Sequence, residues 1–281
     1  MNFSEKLKAF NTTHPKKEIM VQGRTLHYRL SGPAARPVIL CLNEFGISEL
    51  WVDYTLALEK SFRVLTLDYP PEIQTSDVLC VALHELLGQL GVDQAILLGA
   101  GDGGVLAQRY GEAYPGDVQA LVLMATATAD CAYLEKLRRR AKTYFPILRR
   151  KISLMKPAKL IELTAQALGD ETPGERAQIE DFLATVAETS DYKARLTQTA
   201  RLAEDMLVRR PPVTSQALGY LSGRVLLLLP EVDLFDVSDQ KRLEALFDRP
   251  VIQRIAGGHL STIVKAEAYI ESIENFLKEL N

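Results

Sequence analysis

Short apolar runs alternate with amphipathic stretches along most of the chain, a pattern that predicts an α/β protein. Two polar-apolar segments around Gly23, residues 17–22 and 24–30, are typical of an antiparallel hairpin. Continuous apolar runs suit parallel strands that are covered on both faces. These runs are residues 38–42, 64–67, 95–99, 118–124, 225–229 and 251–255.

The segments between the apolar runs have helical spacing. Residues 48–60 fit a helix that packs Trp51 on the sheet, and Ser76 or Asp77 caps a further helix. From Asp130 the strand pattern vanishes until Val225, and the intervening sequence is charged and helix-forming. We therefore predict a core made of residues 1–129 and 214–281, interrupted by a helical cap insertion at 130–213.

Residues 95–115, AILLGAGDGGVLAQRYGEAYP, combine an apolar strand, a glycine-rich turn and a helix rich in small residues. This is the outline of a nucleophile elbow, G-x-S-x-G, whose serine projects from a sharp strand-to-helix turn. Gly99, Gly101 and Gly103 match its first, third and fifth places, so Gly101 stands where the serine belongs. In an alternative register Asp102 is the attacking carboxylate. The strand running directly into Gly99 favours Gly101.

The chain resembles the α/β-hydrolase superfamily along nearly its whole length, and it is most similar to the maspardin branch. The LSGP, LDYPPEI, GAGDGGVLAQRYGEAYP and FPILRRKI segments carry this likeness. The resemblance implies a mostly parallel eight-stranded sheet with flanking helices and an inserted cap. The spacing from Gly101 to Tyr114-Pro115 also matches this family. Maspardin relatives are generally regarded as binding or regulatory proteins of doubtful catalytic competence.

The resemblance also places a catalytic acid and base. Asp233 in PEVD matches the family's acid by position, although Pro230 replaces the usual glycine. The Gly-Gly-His sequence that ends at His259, after the last apolar run, matches the family's base. The order of nucleophile, acid and base is thus retained, with no side chain at the first position.

The loop after the strand at 38–42 departs from the family. Active relatives carry His-Gly-aromatic there, and this chain has Asn43-Glu44-Phe45-Gly46. The resemblance gives Phe45 and Asp102 the oxyanion-hole positions, with Asn43 and Glu44 in the pocket. Two carboxylates beside a site of developing negative charge disfavour acyl transfer. Alternatively, both carboxylates face solvent or cap helix N-termini.

Two functional hypotheses follow. In the first, the chain is a catalytically degenerate member that binds a small ligand or a protein. In the second, it is a hydrolase without serine, acting on a small ester-like or acyl substrate. There His259 backed by Asp233 is a general base, or Asp102 is the nucleophile. The lost nucleophile favours the first hypothesis, and neither requires a cofactor or a metal.

Composition adds little to this picture. The chain has 281 residues, 47% hydrophobic and 25% charged, with a net charge of −3, as expected for a globular protein. Three scattered cysteines argue against a disulfide framework or a zinc site. A polar N-terminal segment and the lack of a long apolar window predict a cytoplasmic protein without a membrane span.

The early cap is unusually basic. Residues 136–159 include ten Lys and Arg and no acidic residue, with aromatic and aliphatic residues interleaved. Such a segment suits an anionic membrane or an acidic partner. Its predicted basic surface comprises Arg138, Arg139, Arg140, Arg149, Arg150 and Lys151. Alternatively, it is a solvated face compensated by the acidic region 170–191. A sequence pI of 5.9 disfavours nucleic acid.

Overall fold

A computed structural model describes residues 2–168, 172–189 and 191–280. Its eight strands form one sheet in the order β1-β2-β4-β3-β5-β6-β7-β8. β1 and β2 run antiparallel to their neighbours, and all other pairs are parallel. The strands are β1 Lys17–Val21, β2 Arg24–Ser31, β3 Val38–Leu42, β4 Arg63–Asp68, β5 Ala95–Ala100, β6 Val118–Met124, β7 Val225–Pro230 and β8 Val251–Ile255. The predicted fold class is confirmed.

Helices fill most of the remaining described chain. α3 packs against α4, and α2 packs against α11. The helices are α1 Phe3–Thr13, α2 Val52–Leu58, α3 Ser76–Gln89, α4 Asp102–Ala113, α5 Ala132–Leu154, α6 Pro157–Leu168, α7 Pro173–Ala187, α8 Tyr192–Glu204, α9 Val237–Ala245, α10 Ser261–Val264 and α11 Ala266–Glu279. Within the described residues no helix is both long and apolar enough to cross a membrane.

The apolar runs became strands because the sheet is covered on both faces. Every residue of β3, β5 and β7 is buried, so these strands show no alternation of polar and apolar positions. The β1–β2 hairpin turns at Gln22-Gly23, both of which have positive φ, as a two-residue hairpin turn requires. This hairpin supplies the antiparallel edge of the sheet.

In the described part of the segment between β6 and β7, four helices, α5 to α8, lie within the region that the sequence assigns to a cap. α5 packs on α8, and α6 packs on α7. A buried ion pair joins this region to the core, because Arg195 Nη1 lies 2.8 Å from Glu49 Oε2. Asp205 Oδ2 also accepts hydrogen bonds from the N–H and hydroxyl of Ser76. The limits 130 and 213 remain sequence predictions.

Three details differ from the sequence interpretation. The residue before α3 is Thr75, and Ser76 is already helical, so neither Ser76 nor Asp77 is the cap. α1 was not predicted, although Asn2 and Glu5 form a capping box at its start. α9 was also missed. It has few apolar residues, and Asp236 caps it by accepting from two backbone N–H groups.

Gly103 allows α4 to begin close against the end of β3. A Cβ on Gly103 would lie 2.7 Å from the carbonyl carbon of Leu42, and backbone cannot easily move. We expect Gly103→Ala to lower the free energy of unfolding by about 3 kcal/mol in urea denaturation. Gly88→Ala, in α3 with no atom within 4 Å of the added Cβ, is the control. It should raise stability slightly, and equal losses in both variants would contradict the close approach.

Candidate functional site

Gly101 forms the apex of the turn between β5 and α4. Its backbone has φ 51° and ψ −119°, a left-handed conformation that strains residues with a side chain. The turn is held from both sides, since the Gly101 N–H donates to the Met124 carbonyl at 3.0 Å. The Thr126 hydroxyl donates to the Gly101 carbonyl at 2.5 Å. Asp102 is the first residue of α4, so the apex is Gly101 and not Asp102.

Asp233 and His259 meet above the carboxyl ends of β7 and β8. His259 Nδ1 lies 2.6 Å from Asp233 Oδ1, and both side chains are buried. Two backbone hydrogen bonds fix the segments that carry them: Glu231 N–H to the Ile255 carbonyl and Val232 N–H to the Gly257 carbonyl. The structure therefore brings together the predicted acid and base.

Glu44 turns into the same cluster. Its Oε1 lies 3.0 Å from His259 Nε2, and its side chain is 4% exposed. A Cβ built on Gly101 would lie 2.7 Å from Glu44 Cδ. The carboxylate thus fills the space between Gly101 and His259. This corrects the alternative in which Glu44 faces solvent or caps a helix.

His259 is held between two carboxylates. Burial alone lowers the pKa of an imidazole, but the hydrogen bonds to Asp233 and Glu44 outweigh it and raise the pKa of His259 to about 10. The ring is therefore protonated at neutral pH and donates from both nitrogens. A protonated imidazolium has no lone pair with which to accept a proton from a substrate or a water molecule.

The Asp102 carboxylate accepts hydrogen bonds from the backbone N–H groups of both predicted oxyanion-hole residues, Phe45 and Asp102 itself. The Phe45 N–H donates to Asp102 Oδ1 at 2.8 Å, and the Asp102 N–H also acts on this carboxylate. Phe45 has φ 51°, which aims its N–H into the site. Burial, with the nearby charge of Glu44, raises the pKa of Asp102 to about 7 against the effect of both N–H groups. The N–H groups that could stabilise an oxyanion are thus already bonded to a carboxylate of the chain itself.

Asn43 does not line the pocket, contrary to its predicted place. Its side chain is fully buried and donates from Nδ2 to the Leu67 carbonyl at 2.8 Å. Its Oδ1 accepts from Trp51 Nε1 at 2.9 Å, and its backbone N–H donates to the Tyr69 hydroxyl. Asn43 therefore fixes the loop that carries Glu44 and Phe45. Its side-chain amide and its backbone N–H are already bonded to neighbours.

A cavity of about 400 Å³ lies between this cluster and the cap. Glu44, Gly101, Asp102 and His259 line its floor. Its walls are largely apolar and come from α5, α6 and α8, with the π-helical turn Asp205–Arg209. Typical wall residues are Leu137, Phe145, Leu148, Ile152, Leu196 and Met206. The site is an apolar chamber with charged groups at one end.

The six basic cap residues do not share one role. Arg138 turns inward and donates to the Leu207 and Ala129 carbonyls. Arg149 pairs with Glu204, with Nη1 to Oε2 at 2.5 Å, and Arg139 pairs with Glu135. Arg140, Arg150 and Lys151 are exposed. The predicted basic surface is therefore smaller than the sequence indicated, because Arg138 and Arg149 brace the cap.

Comparison with known proteins agrees with this architecture. An enol-lactonase from Burkholderia xenovorans LB400 superimposes with a TM-score of 0.75 at 18% identity, over 93% of this chain and 100% of that one. The eight-stranded order and the strand-turn-helix at Gly101 match the same scaffold. The chain has the α/β-hydrolase fold. At this identity the likeness shows the fold alone.

Two curated relatives of this α/β-hydrolase-fold chain were found by sequence. Proline iminopeptidase PfmaB of Pestalotiopsis fici is 28% identical over 121 residues, 39% of this chain and 43% of that one. Bifunctional epoxide hydrolase 2 of Sus scrofa is 34% identical over 110 residues, 34% of this chain and 19% of that one. The chain thus spans less than half the length of either relative. No family model matches the sequence.

The position of Asp102 predicts a pH-dependent stability. Its pKa of about 7 in the folded chain exceeds the ordinary value near 3.9, so the folded state holds the extra proton between these pH values. The free energy of unfolding therefore falls as pH rises from 4 to 7, by about 2 kcal/mol after allowance for partial solvent contact. Asp102→Asn should flatten this slope in urea titrations. The exposed Asp93→Asn should not, and an unchanged slope in Asp102→Asn would refute the assignment.

Proposed function

We propose that this chain is a ligand-binding protein of the α/β-hydrolase fold, similar in kind to the maspardin branch, and that it performs no serine-type acyl transfer. One observation carries the proposal. The Glu44 carboxylate lies over Gly101 and bonds His259, where an attacking hydroxyl would stand.

Each part that acyl transfer needs is missing or occupied. The apex residue Gly101 has no side chain that could attack. His259 is protonated and bonded at both nitrogens, so it is no base at neutral pH. The Phe45 N–H, which would stabilise an oxyanion, already donates to Asp102. These contacts support loss of the serine mechanism.

The same contacts weigh against the two serine-free mechanisms. Asp102 begins α4 and lies beside the apex, with its carboxylate held by the Phe45 N–H. A nucleophile in that position lacks free donors for the oxyanion that it would generate. His259 as a general base fails because its pKa of about 10 keeps it protonated. Binding is therefore the function that the geometry supports best.

The cavity favours an apolar ligand with a hydrogen-bond-donating end. Most of its wall is apolar, which suits an alkyl or terpenoid body. Its floor presents the carboxylates of Glu44 and Asp102, and His259 is already saturated by its two partners. A fatty acid or a phosphate would meet like charge at close range. An alcohol, an amide or an amine would find acceptors.

We expect dodecanol or dodecylamine, used below micelle-forming concentration, to bind at least about tenfold more tightly than dodecanoate. Isothermal titration calorimetry measures the difference at pH 8, where Asp102 is ionised. Ala203 lines the cavity, so Ala203→Trp should abolish binding of all three. Ala245→Trp, at an exposed position of α9, should leave it unchanged.

Two results would contradict the proposed function. The first is tighter binding of dodecanoate than of the amine. The second is turnover of short activated esters by the unmodified chain that is lost in His259→Ala. That turnover would require a neutral His259 and hence a cluster different from the one described.

A further inference from the structure

α5 presents an apolar stripe to the outside of the cap. The stripe consists of Tyr144, Ile147 and Leu154. Lys151 lies between the last two on the same helix face, since the four residues are three, four and three positions apart. Ile147 is 54% exposed and Leu154 is 73% exposed, and both are among the most exposed large apolar side chains of the described chain. Exposed apolar residues in a row mark an interaction surface more often than single ones do.

The cavity opens at this stripe. Tyr144 and Lys151 are exposed and also line the cavity, as does Leu163 of α6. Side chains that do both form the rim of an opening. We call Tyr144, Ile147, Lys151, Leu154 and Leu163 the cavity-mouth surface. Whatever covers this surface stands at the entrance to the ligand chamber.

Exposed cations that form no ion pair within the described residues lie at the cavity-mouth surface. Arg140 lies one helical turn before Tyr144 on the same face, and Arg150 is exposed nearby. Among the described residues no ion pair is formed by Arg140, Arg150 or Lys151. By contrast, Arg138 and Arg139 pair with Glu135, and Arg149 pairs with Glu204.

The acidic region 170–191 does not neutralise this charge through its described residues. Glu175 pairs with Lys265, with Oε1 and Nζ 3.1 Å apart, and Asp191 pairs with Arg195. Asp181 accepts from the Phe3 N–H. Residues 170, 171 and 190 of that region lie outside the described residues. No described acidic residue of that region, the exposed Glu180 and Glu188 included, forms an ion pair with Arg140, Arg150 or Lys151.

We propose that the cavity-mouth surface docks on an anionic lipid bilayer. The apolar side chains would enter the headgroup region while Arg140, Arg150 and Lys151 lie at the level of the lipid phosphates. The positive charge suits an anionic surface, and the exposed apolar side chains of Ile147 and Leu154 favour a bilayer over a soluble acidic protein. Docking would place the entrance of the apolar chamber against the source of an apolar ligand.

Vesicle co-sedimentation of the full chain tests this docking. Vesicles of phosphatidylcholine with phosphatidylserine should bind at least about tenfold more protein than vesicles of phosphatidylcholine alone, and added salt should weaken the binding. The double variant Ile147→Glu with Leu154→Glu should lose most of it. The matched control, Val237→Glu with Ile252→Glu, changes two exposed apolar residues outside the cap and should retain it.

A second variant covers the case in which the glutamates disturb the cap. Arg140→Gln with Lys151→Gln keeps the apolar stripe and should reduce vesicle binding about tenfold, with an unchanged thermal midpoint. Equal binding by the parent and both double variants would overturn the proposal. Binding to soluble polyglutamate but not to anionic vesicles would overturn it too and would indicate an acidic protein. No ligand is present in these assays, so failure here leaves the proposed ligand binding untouched.

Discussion

Gly101→Ser alone is expected to leave the chain without measurable esterase activity. The serine Cβ would overlap the Glu44 carboxyl, whose Cδ lies 2.7 Å from the position of that Cβ. His259 would remain protonated between Glu44 and Asp233, unable to take the proton of the hydroxyl. A single substitution therefore restores the nucleophile without the base that activates it.

The triple variant Gly101→Ser, Glu44→Gly, Asp102→Ala should gain activity. Removing Glu44 clears the space above the serine and lowers the pKa of His259, because one of its two anionic partners is lost. Removing the Asp102 carboxylate releases the Phe45 N–H for an oxyanion. We expect kcat/KM for 4-nitrophenyl acetate to rise at least about 10³-fold over the parent chain.

Two controls isolate the cause of this gain. His259→Ala in the triple variant should abolish it, and Glu44→Gly with Asp102→Ala should lack it because no hydroxyl is present. Glu44→Gly with Gly101→Ser should be intermediate, since the oxyanion donor stays occupied. If Gly101→Ser alone were as active as the triple variant, the carboxylates of Glu44 and Asp102 would not be the cause of the missing esterase activity. The proposed function would then lose its main support.

The fold could be predicted from sequence because its strands are apolar on both sides. Burial from both faces gives continuous runs such as residues 38–42 and 225–229, bounded by turn residues. α9 could not be predicted from apolar spacing because most of its residues are polar and Leu243 is its one buried apolar residue. α1 buries only Phe10 among its residues, so its sequence shows little apolar periodicity and its start is marked only by the Asn2/Glu5 capping box.

The site could be predicted only in part. Glycine spacing identified Gly101, and the resemblance to the α/β-hydrolase superfamily placed Asp233 and His259. The direction of Glu44 could not be predicted, because it depends on the positive φ of Phe45 and on the bonds that hold Asn43. A sequence shows that a carboxylate is near an oxyanion position, but only tertiary packing shows that it bonds the histidine.

The same limit applies to the basic cap. Ten Lys and Arg in residues 136–159 predicted one basic surface, yet helical geometry divides them between an inward and an outward face. Arg138 donates to backbone carbonyls and Arg149 pairs with Glu204, whereas Arg150 is exposed. The partners of Arg138 and Arg149 could not be predicted, since Leu207 and Glu204 come from segments distant in the sequence.

His259 should make the stability of the chain fall steeply at alkaline pH. Its pKa is about 10 in the folded state and near 6.5 in the unfolded chain, so its ion pairs contribute fully below pH 6.5. Above that value the unfolded chain releases the proton while the folded chain keeps it. The free energy of unfolding therefore decreases with a slope that approaches about 1.4 kcal/mol per pH unit, which amounts to about 2.3 kcal/mol from pH 6.5 to 8.5.

Guanidinium titrations between pH 6.5 and 8.5 measure this slope, in a range below the ordinary pKa values of tyrosine and lysine. His259→Gln should remove most of the slope between pH 7 and 8, and Glu44→Gln should reduce it, because the imidazolium then keeps only Asp233 as an anionic partner. His84→Gln, at a half-exposed histidine, is the matched control and should retain it. A parent chain with no slope would mean that His259 is neutral when folded. It would then be free to act as a base, and the serine-free enzyme would become the better interpretation of the site.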